Sequence, residues 1–542
     1  MKSFLKYIVI LPTVILLLLV IGFLAGNHFS NNILLGRKFY QPGSKINAVL
    51  GVINNYYVDT IVVKDLAEEA IPSIINELDP HSSYIPAQDL EAVNDDIDGH
   101  FSGIGIEFSR QNDTIIVISI VSGGPSEKVG IQPGDRIVTI DDSLYAGTGF
   151  SDEKIIKTLR GTKGTKVSIG VKRANREELQ IYEITRGDVP RNTVDVAYEV
   201  SKGTGLIKIN KFGRSTYTEF LNALGLLINA GCESFILDLR QNPGGLLDVA
   251  INVANEFLSK DQLIVYTEGK AFSRTEAYAN GTGMCQTSPL VVLVDEMAAS
   301  ASEIVAGAIQ DNDRGTIIGR RSFGKGLVQN QIELGDGSAL RLTVARYYTP
   351  SGRCIQKAYQ MGNGAVYEQE LVNRFVNGEF DHRDSIKTSE AQFKTLLGRT
   401  VFDGGGIMPD IFIPRDTIGI TSYYLSLLQN GIIHEYTLRY TDEHRETLTK
   451  FKDYRRLWNY LKTQPLLNGI VSYAAENGIR PRPTLIDKSA PLIENLAHAY
   501  IIRNIFGNPG FYPVILFKDP VVMKAVEVIR KGEAFPKNES ED

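Results

Sequence analysis

Ser300 and Lys325 are the two side chains whose settings offer reactive chemistry. Before Ser300, an apolar run, Leu290-Val291-Val292-Leu293-Val294, turns through Asp295-Glu296-Met297 into a small-residue stretch from Ala298 to Ile309. The run reads as a buried strand and the stretch as the start of a helix. A serine hydroxyl is a weak nucleophile until a base takes its proton. At a helix start, first-turn N–H groups and the helix dipole point toward it, which suits a developing oxyanion. Lys325 lies between Gly324 and Gly326, with Phe323 beside it. Such a loop could bury the amine, and desolvation lowers a lysine pKa toward the neutral form that a base requires.

The same residues have plainer readings. Ser300-x-x-Glu303 is also a capping box, which needs no catalysis and excludes none. Lys325 also reads as an exposed loop lysine. Gly319-x4-Gly324-Lys325 nearly matches a phosphate-binding loop. However, Gly326 stands where that motif needs Ser or Thr for magnesium, and the residues after it alternate as a strand.

Ala298-Ala299-Ser300-Ala301-Ser302-Glu303-Ile304, followed by Gly324-Lys325-Gly326, resembles the active-site signature of the carboxyl-terminal processing (tail-specific) serine proteases. The resemblance implies Ser300 as nucleophile, Lys325 as base and Gln329 as the residue that orients the lysine. On a strand, positions 325 and 329 share a face. Family members commonly carry Ser or Thr where Ala298 stands, a minor departure.

Composition narrows the alternatives. At 542 residues the chain holds about three or four domains. Hydrophobic content of 43% and charged content of 22% are those of a globular protein. A net charge of −6 without a basic stripe gives no case for nucleic acid. Cys232, Cys285 and Cys354 have neither zinc-finger nor redox spacing, and the seven histidines form no metal-ligand cluster. No metal or cofactor is expected.

Along the chain, Tyr7 to Ala25 is a nearly unbroken apolar run after Lys2 and Lys6. About 20 such residues span a bilayer as a helix, and the preceding lysines favour a cytoplasmic N-terminus. Residues 1–25 are therefore expected to form a transmembrane anchor or signal segment, with an uncleaved anchor preferred. The rest would then face the periplasm or cell exterior. Residues 26–97 read as helical, with Val49, Val52, Ile53 and Tyr56 on one face and Leu66, Ala70, Ile71, Ile74 and Ile75 on another. Leu78-Asp79-Pro80-His81-Ser82 resembles a family segment and is assigned no chemistry.

Residues 98–186 resemble a PDZ domain, most specifically through Gly130-Ile131-Gln132-Pro133-Gly134-Asp135-Arg136-Ile137. PDZ domains bind an extended peptide C-terminus by β-augmentation. The carboxylate loop would comprise Gly103, Ile104, Gly105 and Ile106. Leu159-Arg160-Gly161 and Thr165-Lys166-Val167 fit its last helix and strand.

Residues 187–414 resemble the α/β protease core, crotonase/ClpP-like. Its Asp238-Leu239-Arg240-Gln241-Asn242-Pro243-Gly244-Gly245 turn implies an oxyanion hole made by Gly244 or Gly245 together with Ala301. Two glycine amides at a helix start make an open anion site. Residues 415–542 read as a mainly helical extension without a predicted role, ending in a polar, frayed tail from Lys531. The expectation is thus a multidomain α/β and β serine endopeptidase that takes protein C-termini through its PDZ domain. A regulatory partner or homo-oligomer is compatible with it. The rival is an inactive, membrane-tethered PDZ scaffold.

Overall fold

The computed structural model describes residues 16–24, 42–111, 113–173, 176, 178–386 and 391–537. It divides into two compact units, residues 1–77 and 78–542. In the first, residues 16–24 are helical and exposed, and helices run over Pro42–Tyr56 and Val63–Asn76. Among the described residues no helix is long and apolar enough to cross a membrane. The remainder of the expected span, residues 7–15 and 25, lies outside the described residues.

The second unit is built around a six-stranded sheet. Its strands are Val194–Ser201, Thr204–Ile209, Ser234–Asp238, Leu290–Val294, Thr316–Gly319 and Ile411–Phe412, side by side in that order. The first pair is antiparallel and the others are parallel. Parallel strands joined by crossover helices are buried on both faces, so they read as continuous apolar runs. Every residue of Leu290–Val294 is buried. One face packs against Thr216–Asn229, Leu247–Asn255 and Ala301–Asp311, through Phe220, Leu224, Val253 and Ile304 among others.

The other face shows what part of the C-terminal extension does. Val521, Val522, Ala525 and Val528 of helix Pro520–Arg530 cover Leu206, Ile236, Val291 and Leu293. The predicted frayed tail is corrected over its first half. Ala534 is buried against this face, and the Glu533 and Ala534 carbonyls accept from the Thr316 hydroxyl at 3.3 and 3.0 Å. Residues 538–542 lie outside the described residues.

A second sheet has a strand that begins just after the lysine. Its long strand Ala339–Tyr348 pairs with Leu327–Glu333, Ser83–Ile85 and Leu263–Glu268. Farther up the chain, a five-stranded path of Ile106–Gln111, Thr114–Ile120, Arg136–Ile140, Lys166–Lys172 and Gln180–Thr185 encloses its own apolar core with helix Asp152–Leu159. Lys166–Lys172 is not its last strand, as the sequence reading had it. Gln180–Thr185 follows, and Gly187–Pro190 then pairs with His100–Gly103. Helix Ile432–Leu448 of the extension reaches this lobe: Arg445 donates to the Pro133 carbonyl at 2.9 Å and to Asp442 at 2.8 Å.

Candidate active site

Ser300 is the N-cap of helix Ala301–Asp311, with φ 54° and ψ −113°. A non-glycine residue in positive φ is uncommon and holds only where its surroundings over-determine it. Three contacts do so here. The Ser300 N–H donates to Glu303 Oε2 at 2.8 Å, and the Tyr347 hydroxyl donates to the Ser300 carbonyl at 3.1 Å. The preceding Ala299 N–H donates to the Asn242 carbonyl at 3.0 Å.

Lys325 follows strand Thr316–Gly319 through a loop without helix and opens onto Leu327–Glu333. That geometry is not a phosphate-binding loop. The Lys325 N–H donates to Glu303 Oε2 at 2.9 Å, the same oxygen that receives the Ser300 N–H. The Tyr347 hydroxyl contacts the Lys325 carbonyl as well. One buried carboxylate and one buried phenol therefore join the backbones of two residues far apart in sequence. Gly324 N–H, at 2.7 Å, and the Ser322 hydroxyl occupy Glu303 Oε1. Burial pushes the Glu303 carboxyl up to about 7, against these donors, which pull it down.

The Lys325 amine is held below its ordinary value, first by burial and then by the Arg341 charge, while Glu303 and Asp79 oppose the shift. It donates to Gln329 Oε1 at 3.1 Å. The Gln329 amide in turn donates to the His81 carbonyl. Asp79 fixes that segment, accepting from the His81 and Ser82 N–H groups at 2.9 and 3.0 Å and from the Thr343 hydroxyl at 3.0 Å.

The Gly-Gly turn approaches from the other side. A Cβ at residue 244 would lie 2.7 Å from Ser300 Cβ and 2.9 Å from the Ala301 nitrogen. The Gly244 N–H is already given to Asn242 Oδ1 at 2.8 Å. The Gly245 and Ala301 N–H groups have no hydrogen-bond partner among the described residues. Asp295 Oδ1 links this loop to the serine loop, accepting from Gln241, Met297 and Ala298 N–H at 2.9, 3.1 and 3.1 Å. Arg240, just upstream, pairs with Asp238 and, at 3.0 and 2.8 Å, with Asp519 of the extension.

In the other candidate site, Gly103 ends a strand, Gly105 has φ 78° and Ile106 begins the next strand. The Ile104 carbonyl accepts from Ser126 N–H at 2.8 Å and the Gly105 carbonyl from Val121 N–H at 3.1 Å. The Ile104 and Gly105 N–H groups have no partner among the described residues.

The sequence reading did not find the linking roles of Asn242, Asp295 and Tyr347, nor the part played by His81. Glu303 was visible as a cap, but one end of its carboxylate reaches Gly324, which i+3 spacing cannot show.

Comparison with known proteins places these lobes. The profile of peptidase family S41 matches residues 203–365, that of a PDZ domain matches 102–181, and that of a family of unknown function matches 423–507. The chain is 34% identical over 387 residues to a "Carboxy-terminal-processing protease" of Bartonella bacilliformis, covering 70% of this chain and 85% of that protein. It is 34% identical to a "Probable CtpA-like serine protease" of Staphylococcus haemolyticus, over 58% of this chain and 63% of that one. Among solved structures it is similar to a photosystem II D1 C-terminal processing protease, at 25% identity and TM-score 0.34, covering 67% of this chain and 91% of that chain. The chain therefore belongs to peptidase family S41, as a carboxy-terminal-processing serine protease with a PDZ domain.

Proposed function

We propose that Ser300 attacks the scissile carbonyl while Lys325 takes its proton and returns it to the leaving amine. Water then hydrolyses the acyl group from Ser300. The observation that carries this reading is the shared Glu303 oxygen, which binds the backbone of nucleophile and base together. Gln329 holds the amine, and the Ala301 and Gly245 N–H groups receive the oxyanion. Of the two glycines we choose Gly245 because the Gly244 N–H is already engaged. A fluorophosphonate probe tests this. Its adduct should map to Ser300 and be lost in Lys325→Ala. An adduct on another residue would refute the assignment.

The reading extends to the substrate. The loop Gly103 to Ile106 takes the terminal carboxylate of a protein chain, and its N–H groups fit that role. Amidating the C-terminus of a model substrate should weaken binding about tenfold or more, since buried anion contacts are worth 1.5–3 kcal/mol each. The lobes divide as 1–25, 26–97, 98–186, 187–414 and 415–542. Residues 7–25 anchor the chain in the inner membrane, with the catalytic lobes on the periplasmic or extracytoplasmic side. Protease shaving of intact cells against permeabilised ones checks that placement.

A further inference from the structure

The base sits in a closed circuit of hydrogen bonds that leaves Lys325 and returns to its neighbour. The Lys325 amine donates to Gln329 Oε1 at 3.1 Å, and the Gln329 amide donates to the His81 carbonyl. The imidazole of the same His81 meets the Tyr367 hydroxyl at 2.9 Å through Nε2. Tyr367 receives the Gln356 amide at 3.4 Å, and Gln356 Oε1 receives the Gly326 N–H at 2.8 Å.

The Tyr367 oxygen accepts from Gln356, and its hydroxyl shares one hydrogen bond with His81 Nε2, in which the tautomer of the neutral imidazole sets the donor. Burial and the Lys325 charge push His81 down to about 4, with Lys357 adding to them and Asp79 opposing, which agrees with that state.

Tyr367 is itself clamped. It lies on helix Gly364–Val376, and the Lys357 ammonium sits 4.1 Å from both its ring and that of Phe323. Lys357 also pairs with Glu370 on the same helix at 2.8 Å. The helix thus presses the phenol onto His81, edge to face with ring centroids 5.0 Å apart. A carbonyl oxygen can orient an amide only as well as it is itself held. Asp79 holds the His81 backbone from one side and Tyr367 holds its ring from the other.

We propose that His81 and Tyr367 are positioning residues for the base: they fix the carbonyl that sets the Gln329 amide and, through it, the Lys325 amine. This rests on the reading of Lys325 as the base.

The test is a double-mutant cycle of Tyr367→Phe and Gln329→Ala. Tyr367→Phe removes one oxygen and keeps the ring packing, and His81→Phe serves as a second entry to the same circuit. The readouts are kcat and KM on an unfolded protein substrate, the rate of fluorophosphonate labelling of Ser300, and Tm. Loss of one such bond should lower kcat and the labelling rate of Tyr367→Phe roughly fivefold to tenfold, with KM unchanged. The double variant should be no slower than Gln329→Ala alone, because both substitutions break one circuit. Unchanged kcat in Tyr367→Phe and His81→Phe, or losses that multiply in the double variant, would overturn the proposal. Ser300→Ala and Lys325→Ala run alongside. If they are dead while Tyr367→Phe is unimpaired, only the circuit falls. If they retain activity, the dyad fails and the circuit with it.

Discussion

Replacing Glu303 with Gln keeps the volume of a fully buried side chain and removes one charge. Four donors converge on that carboxylate, from Ser300, Ser322, Gly324 and Lys325. An amide offers an acceptor at one end only. The less costly orientation turns its NH2 toward Ser322, whose hydroxyl can rotate and accept, and leaves the Gly324 N–H facing a donor. One charge-assisted bond is then lost and the others become neutral, a loss of roughly 3–6 kcal/mol that the relieved burial of the charge partly offsets. Part of that cost will be relieved by movement of the loops that carry Ser300 and Lys325, and a shift of about 1 Å in a catalytic group can cost ~100-fold. We expect kcat/KM to fall at least tenfold at pH 8, followed by peptide cleavage, and the urea midpoint to fall with it. Burial pushes Glu303 up to about 7, so at pH 6 wild type carries a mostly uncharged side chain too: the difference in kcat/KM should narrow there, whereas the urea midpoint of wild type should rise, because a raised carboxyl pKa stabilises the folded protein as pH falls through it. Glu303 is also a negative neighbour that raises the Lys325 pKa, so its loss should move the rising limb of the pH profile to lower pH. A Gln variant within about threefold of wild type at pH 8, with stability lowered by less than about 1 kcal/mol, would refute the linking role.

Other outcomes follow from single contacts. Asp311→Ala leaves the fully buried Arg353 without its carboxylate, 2.7 Å away, and should cost about 3–5 kcal/mol of stability by urea denaturation. Gly245→Ala places a Cβ 2.1 Å from the Phe212 carbonyl oxygen at φ 144°, so it should yield a destabilised, inactive protein, measured by Tm and labelling rate. If Lys325 is the base as proposed, wild-type kcat/KM should rise with pH through a limb lying below the ordinary lysine value of 10.5, because burial favours the neutral amine. Val528→Asp puts a charge against Val291 and Leu293 and should make the protein insoluble or lower its Tm by several degrees.

Much of this was legible in the sequence because local pattern and local function coincide there. Leu290–Val294 is a strand buried on both faces, and its five apolar residues show it. The turn into helix Ala301–Asp311 is marked by Ser300 and Glu303, and Gln329 lies four residues beyond Lys325, on the strand that the lysine loop enters. What the sequence hid are contacts between distant segments. Tyr347 reads as one more aromatic on an alternating strand, yet its hydroxyl meets both Ser300 and Lys325. Asp79 and His81 read as a helix end and turn, but the turn lies against Thr343 and Gln329. Asp519 caps helix Pro520–Arg530 and has a second duty toward Arg240. Periodicity reports which face of an element is buried, not which element covers it. For the same reason the cover that helix Pro520–Arg530 gives the central sheet could not be read from its own apolar stripe.

The most direct measurement is cleavage of an unfolded protein with an apolar C-terminus by wild type, Ser300→Ala and Lys325→Ala at matched folding. The account predicts cleavage by wild type and none by either variant, with the far-ultraviolet spectrum and Tm of all three alike. Cleavage by a well-folded Ser300→Ala or Lys325→Ala protein at the wild-type rate would contradict it.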